Sequence, residues 1–255
     1  QKIRKLNADL EQRVRDRTSS LEAALAELEA FSYTVAHDLR APLRSIHTFG
    51  QMLLEDHAGQ LDEEGRKYLA QMIDGGARMD ALTSDLLTYS RVSRQETILS
   101  PVDLEKVVEN ALEGLKAELH ERKARVEIEH PLGRISGNEL LAGQALSNLI
   151  SNAAKFVTPG VEPRIKIRSE YRSEAAQKWV RLSVRDNGIG IDPEFQGKLF
   201  KVFERLHSRE VYPGTGIGLA IVRRALERMA GRWGVDSDPK SGSTFWVEFK
   251  AAEDV

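Results

Sequence analysis

The residues best suited to chemistry stand in four short stretches of the chain. His37 and Asp38 lie in SYTVAHDLRAPLRSI, followed by LSNLISNAAKF (146–156), DNGIG (186–190) and GTGIGLA (214–220). An imidazole is a nucleophile through one ring nitrogen when an acceptor holds the other. A glycine-rich segment that opens a helix can aim backbone amides at phosphate oxygens. Each stretch alone also fits a surface histidine or an ordinary turn, so the prediction depends on their combination and order.

The position of His37 on its helix predicts that it faces outward. Four apolar residues of this helix are spaced to face a core together: Val35, Leu39, Leu43 and Ile46. His37 lies two residues from the first two, roughly 200° around a helix of 3.6 residues per turn. Asp38 can accept a hydrogen bond from the imidazole and take up its proton. Pro42 lacks an N–H and should loosen the turn that begins near Asp38.

LSNLISNAAKF predicts a helix with polar groups on one side. Asn148 and Asn152 are four residues apart, so both amides project from the same face, and Lys155 follows nearly one turn later. Amide oxygens suit Mg²⁺, which prefers hard oxygen ligands and keeps phosphate oxygens and water among them. An ordinary amphipathic helix is the alternative, although asparagine is a poor helix former.

Composition limits the classes of protein that this chain can be. Its 255 residues are 41% hydrophobic and 30% charged, which suffices for two modest domains. A net charge of −2 gives no basic field that would favour nucleic acid. Cysteine is absent, which excludes disulfides, thiolate metal sites and cysteine catalysis. No apolar run approaches the roughly 18 residues of a membrane-spanning helix, so we expect no direct membrane insertion of this segment.

Residues 1 to about 56 predict one long helix. Its apolar seam mostly alternates steps of four and three residues, as in a coiled coil, through Ile3, Leu6, Leu10, Val14, Leu21, Leu25, Leu28, Ser32, Val35 and Leu39. From Leu10 the seam continues by two successive steps of four, through Val14 to Thr18, before a step of three reaches Leu21. This is a stutter, which locally unwinds a left-handed supercoil. This fits either an imperfect dimer seam or a torsional signalling joint.

A second helix is predicted from about 62 to 91, after a turn bracketed by Gly59 and Gly65. Two antiparallel amphipathic helices cannot bury both apolar stripes alone, so pairing of two such hairpins into a four-helix bundle predicts a homodimer. The chain opens at Gln1 already within a helical pattern, and we expect an upstream part to be missing.

After a polar linker at 93–101 the pattern changes to mixed α/β. Helices are predicted at 103–119, 138–156 and 217–228. Strands are predicted at 125–129, 164–169, 179–186, 233–236 and 243–249.

In this order the motifs resemble the two-component sensor histidine kinases, and the phytochrome-like subgroup among them, from about Glu29 to Phe249. The resemblance implies a fold that is α and then α+β: an N-terminal coiled coil, a dimeric four-helix bundle, and an α/β sandwich that binds ATP. It implies domains at 1–30 (coiled-coil signalling helix), 31–95 (dimerisation and histidine phosphotransfer) and 96–255 (catalytic ATP binding). An upstream sensor domain, a response-regulator receiver domain as partner and a bacterial cytoplasmic location follow as further expectations.

The resemblance also assigns site residues. His37 is the phosphoacceptor with Asp38 beside it, Asn152 is the Mg²⁺ ligand, and Asp186 accepts from the adenine amine. The remaining nucleotide-binding residues implied are Asn148, Lys155, Gly188, Gly190, Gly214, Thr215, Gly216, Gly218 and Leu219.

Two further segments match the family in part. Phe200 and Phe203 match its F-box, and 204–213 matches its ATP lid, where Arg205, His207 and Arg209 could contact phosphates. The chain departs from the family at Ala41, four residues after the phosphoacceptor. Family members with phosphatase activity place there a Thr or Asn that orients a water.

Other functions share this nucleotide-binding pattern. The gyrase, mismatch-repair and chaperone ATPases of the GHKL fold place a water-activating glutamate where this chain has Asn148, and an amide cannot act as a base. A non-enzymatic dimerisation scaffold would not need three intact motifs. A serine-directed anti-sigma kinase would lack the histidine-bearing bundle. We therefore expect an ATP-dependent histidine kinase.

Overall fold

The computed structural model describes residues 2–94, 97–174, 177–206, 212, 214–239 and 241–252. Before residue 33 its description of side chains covers residues 7, 10–20, 23, 27 and 30. The predicted seam residues Ile3, Leu6, Leu21, Leu25, Leu28 and Ser32 therefore have side chains outside the described part. The chain divides into two compact units, Gln1–Ser90 and Arg91–Val255. The boundaries of the three domains expected from the sequence stay predictions.

The first unit is a helical hairpin, as predicted. Helix α1 (Lys2–His57) runs without a break through Pro42 and ends in a single 3₁₀ turn at Ala58–Gln60. Helix α2 (Glu63–Arg94) follows at once. The Asp62 carboxylate accepts from the Gly65 amide at 2.7 Å, which satisfies an N–H group that the first turn of α2 leaves without a helical partner.

The face of α1 that is buried within one chain differs from the expected one. Ala36, Leu43 and Gly50 are buried there, and a Cβ added to Gly50 would lie 2.8 Å from Ile73 Cγ1 of α2. Of the four residues expected to share a core face, only Leu43 is buried, whereas Val35, Leu39 and Ile46 are exposed. Helix α1 thus carries two adjacent lines of apolar residues. One line is buried within a single hairpin, and the other is exposed.

The second unit is an α/β sandwich. Its helices are α3 (Leu104–Gly114), α4 (Lys116–Glu121), α5 (Glu139–Lys155), α6 (Pro193–Gln196) and α7 (Gly218–Arg228). Its strands are β1 (Ser100–Asp103), β2 (Arg125–Glu129), β3 (Arg134–Gly137), β4 (Arg164–Glu174), β5 (Gln177–Arg185), β6 (Arg232–Ser237) and β7 (Ser243–Lys250).

Strands β2, β4, β5, β7 and β6 join in that order into one sheet, with β2 parallel to β4 and the other pairs antiparallel. Strands β1 and β3 form a separate antiparallel pair. Alternate residues of β5 point to opposite faces, and Val180, Leu182 and Val184 are fully buried toward the helices. Helices α5 and α7 contact each other and the sheet, so the core lies in this layer.

The other face of the sheet carries an ordered cluster of tryptophans and arginines. The Arg181 guanidinium lies 3.9 Å from the centre of the Trp246 ring, and the Arg232 guanidinium lies 4.3 Å from that of Trp179. The buried Glu248 carboxylate is 2.7 Å from Arg181 and 3.7 Å from Arg232. Paired charges and ring contacts therefore cover the side of the sheet opposite the helices.

The prediction was wrong in several places within this unit, and the four-residue helix α6 was not predicted at all. Helix α2 extends through Arg94 and strand β1 begins at Ser100, so these elements take in the two ends of the expected linker at 93–101. The helix expected at 103–119 breaks at Leu115 into α3 and α4, directly after Gly114, a residue that weakens helices. Strand β3 was not predicted, because a four-residue strand shows little alternation and depends on its pairing with β1.

Within the described residues, no helix is both long and apolar enough to serve as a membrane span.

Candidate functional site

His37 presents its imidazole to solvent on α1. Its side chain is 66% exposed, as the helical position predicted. Its Nδ1 lies 3.2 Å from Asp38 Oδ1. If Nδ1 carries the proton and donates to this carboxylate, Nε2 holds a lone pair and faces outward as a nucleophile.

The polar face of α5 comes from the sequence of the helix itself. Asn138 caps its first turn, where the side-chain oxygen accepts from the Leu141 amide at 3.1 Å. One side of α5 is buried through Leu141, Ala142, Ala145, Leu146, Leu149, Ile150, Ala153 and Ala154. The half-buried Asn148, Asn152 and Lys155 lie between these positions. The Asn148 amide nitrogen donates to the Gln144 carbonyl at 2.8 Å, which turns its oxygen away from its own helix.

Glycines bring the start of α7 against this polar face. A Cβ added to Gly218 would stand 2.7 Å from the Asn148 side-chain oxygen, so a larger residue would collide with it. A Cβ added to Gly214 would collide with the Lys155 ammonium. The predicted residues of this loop and helix start are Gly214, Thr215, Gly216, Gly218 and Leu219. The structure therefore brings the 146–156 and 214–220 motifs into direct contact.

Asp186 is a buried carboxylate that two backbone amides hold in place. It is 8% exposed, and its Oδ1 accepts from Gly188 at 2.8 Å and from Ser243 at 2.9 Å. Burial raises the pKa of Asp186, and the two amide hydrogen bonds act in the opposite direction. The two hydrogen bonds to Oδ1 thus fix the orientation of the carboxylate.

The loop after Asp186 is joined to the end of α5. The Ile189 amide donates to the Phe156 carbonyl at 3.0 Å, and a Cβ on Gly188 would collide with that same carbonyl. Gly190 has a φ of +71°, which favours glycine. All three predicted nucleotide motifs therefore converge around α5.

One residue of this region, Tyr212, was missed by the sequence analysis. Tyr212 is buried, and its ring centre lies 5.5 Å from that of Phe156. Arg205, expected to contact phosphate, donates to the Tyr212 carbonyl at 3.0 Å. The remaining lid candidates, His207 and Arg209, lie outside the described residues. An aromatic residue directly before the PGTG glycines was the signal that could have marked Tyr212.

The two F-box phenylalanines have different surroundings, because Phe200 is half-buried against other aromatic rings and Phe203 is exposed. Phe200 lies against Trp233 and Phe245, with ring centres 6.3 and 6.5 Å apart. Phe203 is exposed, has a φ of +65°, and its amide donates to the Gly216 carbonyl at 3.0 Å. The backbone of Phe203 thus contacts the glycine loop.

Two family models match the chain in consecutive order. The His Kinase A (phospho-acceptor) domain matches residues 27–95, and the histidine kinase-, DNA gyrase B- and HSP90-like ATPase matches residues 137–253. His37 lies in the first match, and Asn148 and Asp186 lie in the second. The chain belongs to the sensor histidine kinase family.

Relatives of this kinase core are longer proteins. It is 36% identical over 227 residues to the phytochrome-like protein Cph1 of Synechocystis sp., covering 89% of the chain and 30% of Cph1. It is 33% identical over 260 residues to the sensor histidine kinase AruS of Pseudomonas aeruginosa, covering 96% of the chain and 25% of AruS. The structure of full-length ShkA in complex with AMPPNP superposes with a TM-score of 0.64 at 27% identity, covering 89% of this chain and 47% of ShkA.

The residues of the kinase core suit a nucleotide-bound magnesium ion. Asn152 offers a neutral amide oxygen, and Lys155 places an ammonium group one turn away. A cation held mainly by phosphates and water needs few protein ligands, and an amide oxygen is a hard donor. Asn152 would bind the ion, which would neutralise phosphate charge, and Asn148 would border the same space.

Proposed function

We propose that this chain binds Mg·ATP, transfers the γ-phosphoryl group to His37, and passes it to an aspartate of a response-regulator receiver domain. The observation that carries the proposal is the exposed imidazole of His37, held at Nδ1 by Asp38 and accompanied by an asparagine-lined nucleotide site. As the resemblance to two-component kinases implies, we also propose that this segment lies in the bacterial cytoplasm.

The transfer is a displacement at phosphorus. The Nε2 lone pair of His37 forms the new N–P bond while the bond from phosphorus to the bridging oxygen of ADP breaks. The imidazole gains positive charge, and its Nδ1 proton moves toward the Asp38 carboxylate. Asp38 therefore orients the ring and stabilises the charge that develops on it.

The nucleotide site contributes binding and charge neutralisation. Asp186 accepts from the exocyclic amine of adenine, and the residues from Gly214 to Leu219 lead into α7, where amides and the helix dipole favour phosphate. Lys155 balances phosphate charge. Asn148 stands where hydrolytic relatives of this fold carry a glutamate, so the site preserves ATP for a protein nucleophile.

We also propose that the functional unit is a homodimer. In one hairpin the exposed apolar residues of α1 recur at heptad spacing, at Val35, Leu39, Ile46, Phe49 and Leu53. Tyr68, Met72 and Met79 are likewise exposed on α2. Two such hairpins in a four-helix bundle would cover both lines.

His37→Gln tests the phosphoacceptor. We expect this variant to take no acid-labile label from γ-³²P-ATP while binding a nucleotide analogue as the parent does, because glutamine lacks a nucleophilic ring nitrogen. His57→Gln, at the exposed end of α1, is the matched control and should label normally. Acid-labile label on the His37 variant would disprove the assignment.

The same assay separates the alternative functions. A GHKL-fold ATPase would release phosphate without a phosphoprotein, and a dimerisation scaffold would neither label nor turn over ATP. Acid-stable label would indicate a serine-directed kinase, because phosphoserine survives acid and phosphohistidine does not.

A further inference from the structure

The ring of Tyr33 lies against the imidazole of His37. The two ring centres are 6.4 Å apart and the planes are inclined by 19°, a stacked arrangement. Tyr33 is half-buried, whereas His37 is largely exposed. Side chains of a helix tilt toward its N-terminus, so the His37 ring lies over the turn that carries Tyr33.

An exposed imidazole needs contacts of this kind to keep one orientation. The final torsion of histidine is broad, with no sharp staggered minima. Asp38 lies 3.2 Å from Nδ1 at one edge of the ring, and the Tyr33 ring lies beside the imidazole in an offset, nearly parallel arrangement. The neighbouring tyrosine ring restricts the tilt of the imidazole, and the hydrogen bond to Asp38 favours the tautomer that carries its proton on Nδ1. By limiting that tilt, Tyr33 also keeps Nδ1 within reach of Asp38.

We propose that Tyr33 is a positioning residue for the phosphoacceptor. Its ring holds the His37 imidazole in the orientation that exposes Nε2, and it exchanges no proton and forms no bond with the phosphoryl group. The proposal rests on the role of His37 as phosphoacceptor. Positioning of the ring affects the rate of phosphoryl transfer because only the correctly oriented fraction of imidazoles can attack phosphorus.

Three substitutions test whether the aromatic ring is what matters. Tyr33→Phe keeps the ring and should keep kcat for autophosphorylation within about twofold. Tyr33→Ala and Tyr33→Leu should lower kcat roughly three- to tenfold, the range expected for losing an aromatic contact. The KM for ATP should not change, since the nucleotide residues belong to the other unit. Alanine is the best helix former, so a loss would not come from a weakened α1.

A second measurement reads the imidazole directly. ¹⁵N NMR of the His37 ring should show mainly the Nδ1–H tautomer in the parent and in Tyr33→Phe, and averaging toward both tautomers in the leucine and alanine variants. Thr34→Ala is the matched control, because Thr34 is exposed on the same turn and its hydroxyl donates to the Ala30 carbonyl at 3.1 Å. It should change neither kcat nor the NMR signature.

Clear outcomes would overturn the proposal. Parental kcat and tautomer balance in both Tyr33→Ala and Tyr33→Leu would show that the stacking has no role. An equal loss in Tyr33→Phe would assign the effect to the hydroxyl instead. If the alanine variant fails to fold by circular dichroism, the leucine–phenylalanine pair decides. If the parent chain takes no label at His37, the proposed function fails, and the NMR comparison still decides whether Tyr33 holds the ring.

Discussion

At the scale of single residues, the proposed contact of Asp186 with adenine would make nucleotide affinity depend on the burial of this carboxylate. Burial raises its pKa, so the carboxylate takes up a proton at a less acidic pH than an exposed aspartate does. The protonated form is a poorer acceptor for the adenine amine. Nucleotide affinity should therefore be complete above the raised pKa and fall as the pH drops through it.

Asp186→Asn tests this pH dependence. Losing a charge-assisted hydrogen bond costs about 1.5–3 kcal/mol, so affinity for an ATP analogue should fall roughly tenfold or more at neutral pH. Titration calorimetry from neutral to acidic pH should show a steeper loss for the parent than for the variant. Titration of the nucleotide phosphates is common to both proteins and cancels in the comparison. If affinity fell equally steeply with pH in the parent and in the variant, Asp186 would not contact the base.

Because position 41 is an alanine, we predict that this kinase core has weak phosphatase activity toward the partner receiver domain. It is exposed on α1, and its methyl group cannot position a water as the Thr or Asn of other family members does. The His37→Gln variant with ADP should accelerate phosphate loss from a phosphorylated regulator only slightly, and adding Ala41→Thr should increase that rate. Rapid loss without the second substitution would show that another side chain orients the water.

At the scale of elements, contacts between distant segments complete the nucleotide region. Tyr212 packs on Phe156 beside the Asp186 loop, which fixes one end of the lid segment. Tyr212→Ala should raise the dissociation rate of a fluorescent ATP analogue about three- to tenfold, and Tyr212→Phe should keep the parental rate. Stopped-flow displacement measures both. Equal rates in all three proteins would mean that the aromatic contact does not hold the nucleotide.

The outer face of the sheet is predicted to stabilise the second unit. Glu248→Gln removes the buried charge that Arg181 and Arg232 contact, and should lower the free energy of unfolding by about 1.5–3 kcal/mol. Glu174→Gln, whose exposed carboxylate contacts Arg232, is the control and should cost less than about 1 kcal/mol. Trp179, Trp233 and Trp246 all lie in this unit, so tryptophan fluorescence during urea unfolding reports on it alone. If both variants lost the same free energy of unfolding, burial of the Glu248 carboxylate would make no extra contribution to stability.

The elements that were predicted well are those with a clear pattern in the local sequence. Strand β5 alternates apolar and polar residues from Val180 to Arg185 and was placed within two residues of both ends, and Asn138 marked the start of α5. The glycine motifs likewise identified the segments that meet around α5. The Asp186–Ser243 hydrogen bond joins residues 57 positions apart, and the Tyr212–Phe156 contact joins separate segments. Such contacts leave no periodic signal, so they required the structure.

At the scale of the whole molecule, α1 leads without a break from the N-terminal seam to His37. Leu10 and Val14 are exposed in one chain, as expected of positions that would meet a second copy. A rotation introduced near the stutter would therefore be carried along a continuous helix to the phosphoacceptor, because a helix transmits torsion better than it absorbs it. We infer that the phase of the seam sets the activity of the kinase core.

Two deletions distinguish a torsional joint from a simple dimer seam. Removing residues 15–18 turns the steps between Leu10 and Leu21 into a regular alternation of four and three, and should hold autophosphorylation at one extreme. Removing the heptad 22–28 leaves the phase unchanged and should leave the rate within about twofold of the parent. Light scattering should show dimers for both, so that a change in rate reflects phase rather than assembly. Equal rates for both deletions, with dimers intact, would mean that the seam dimerises the chain and does not set its activity.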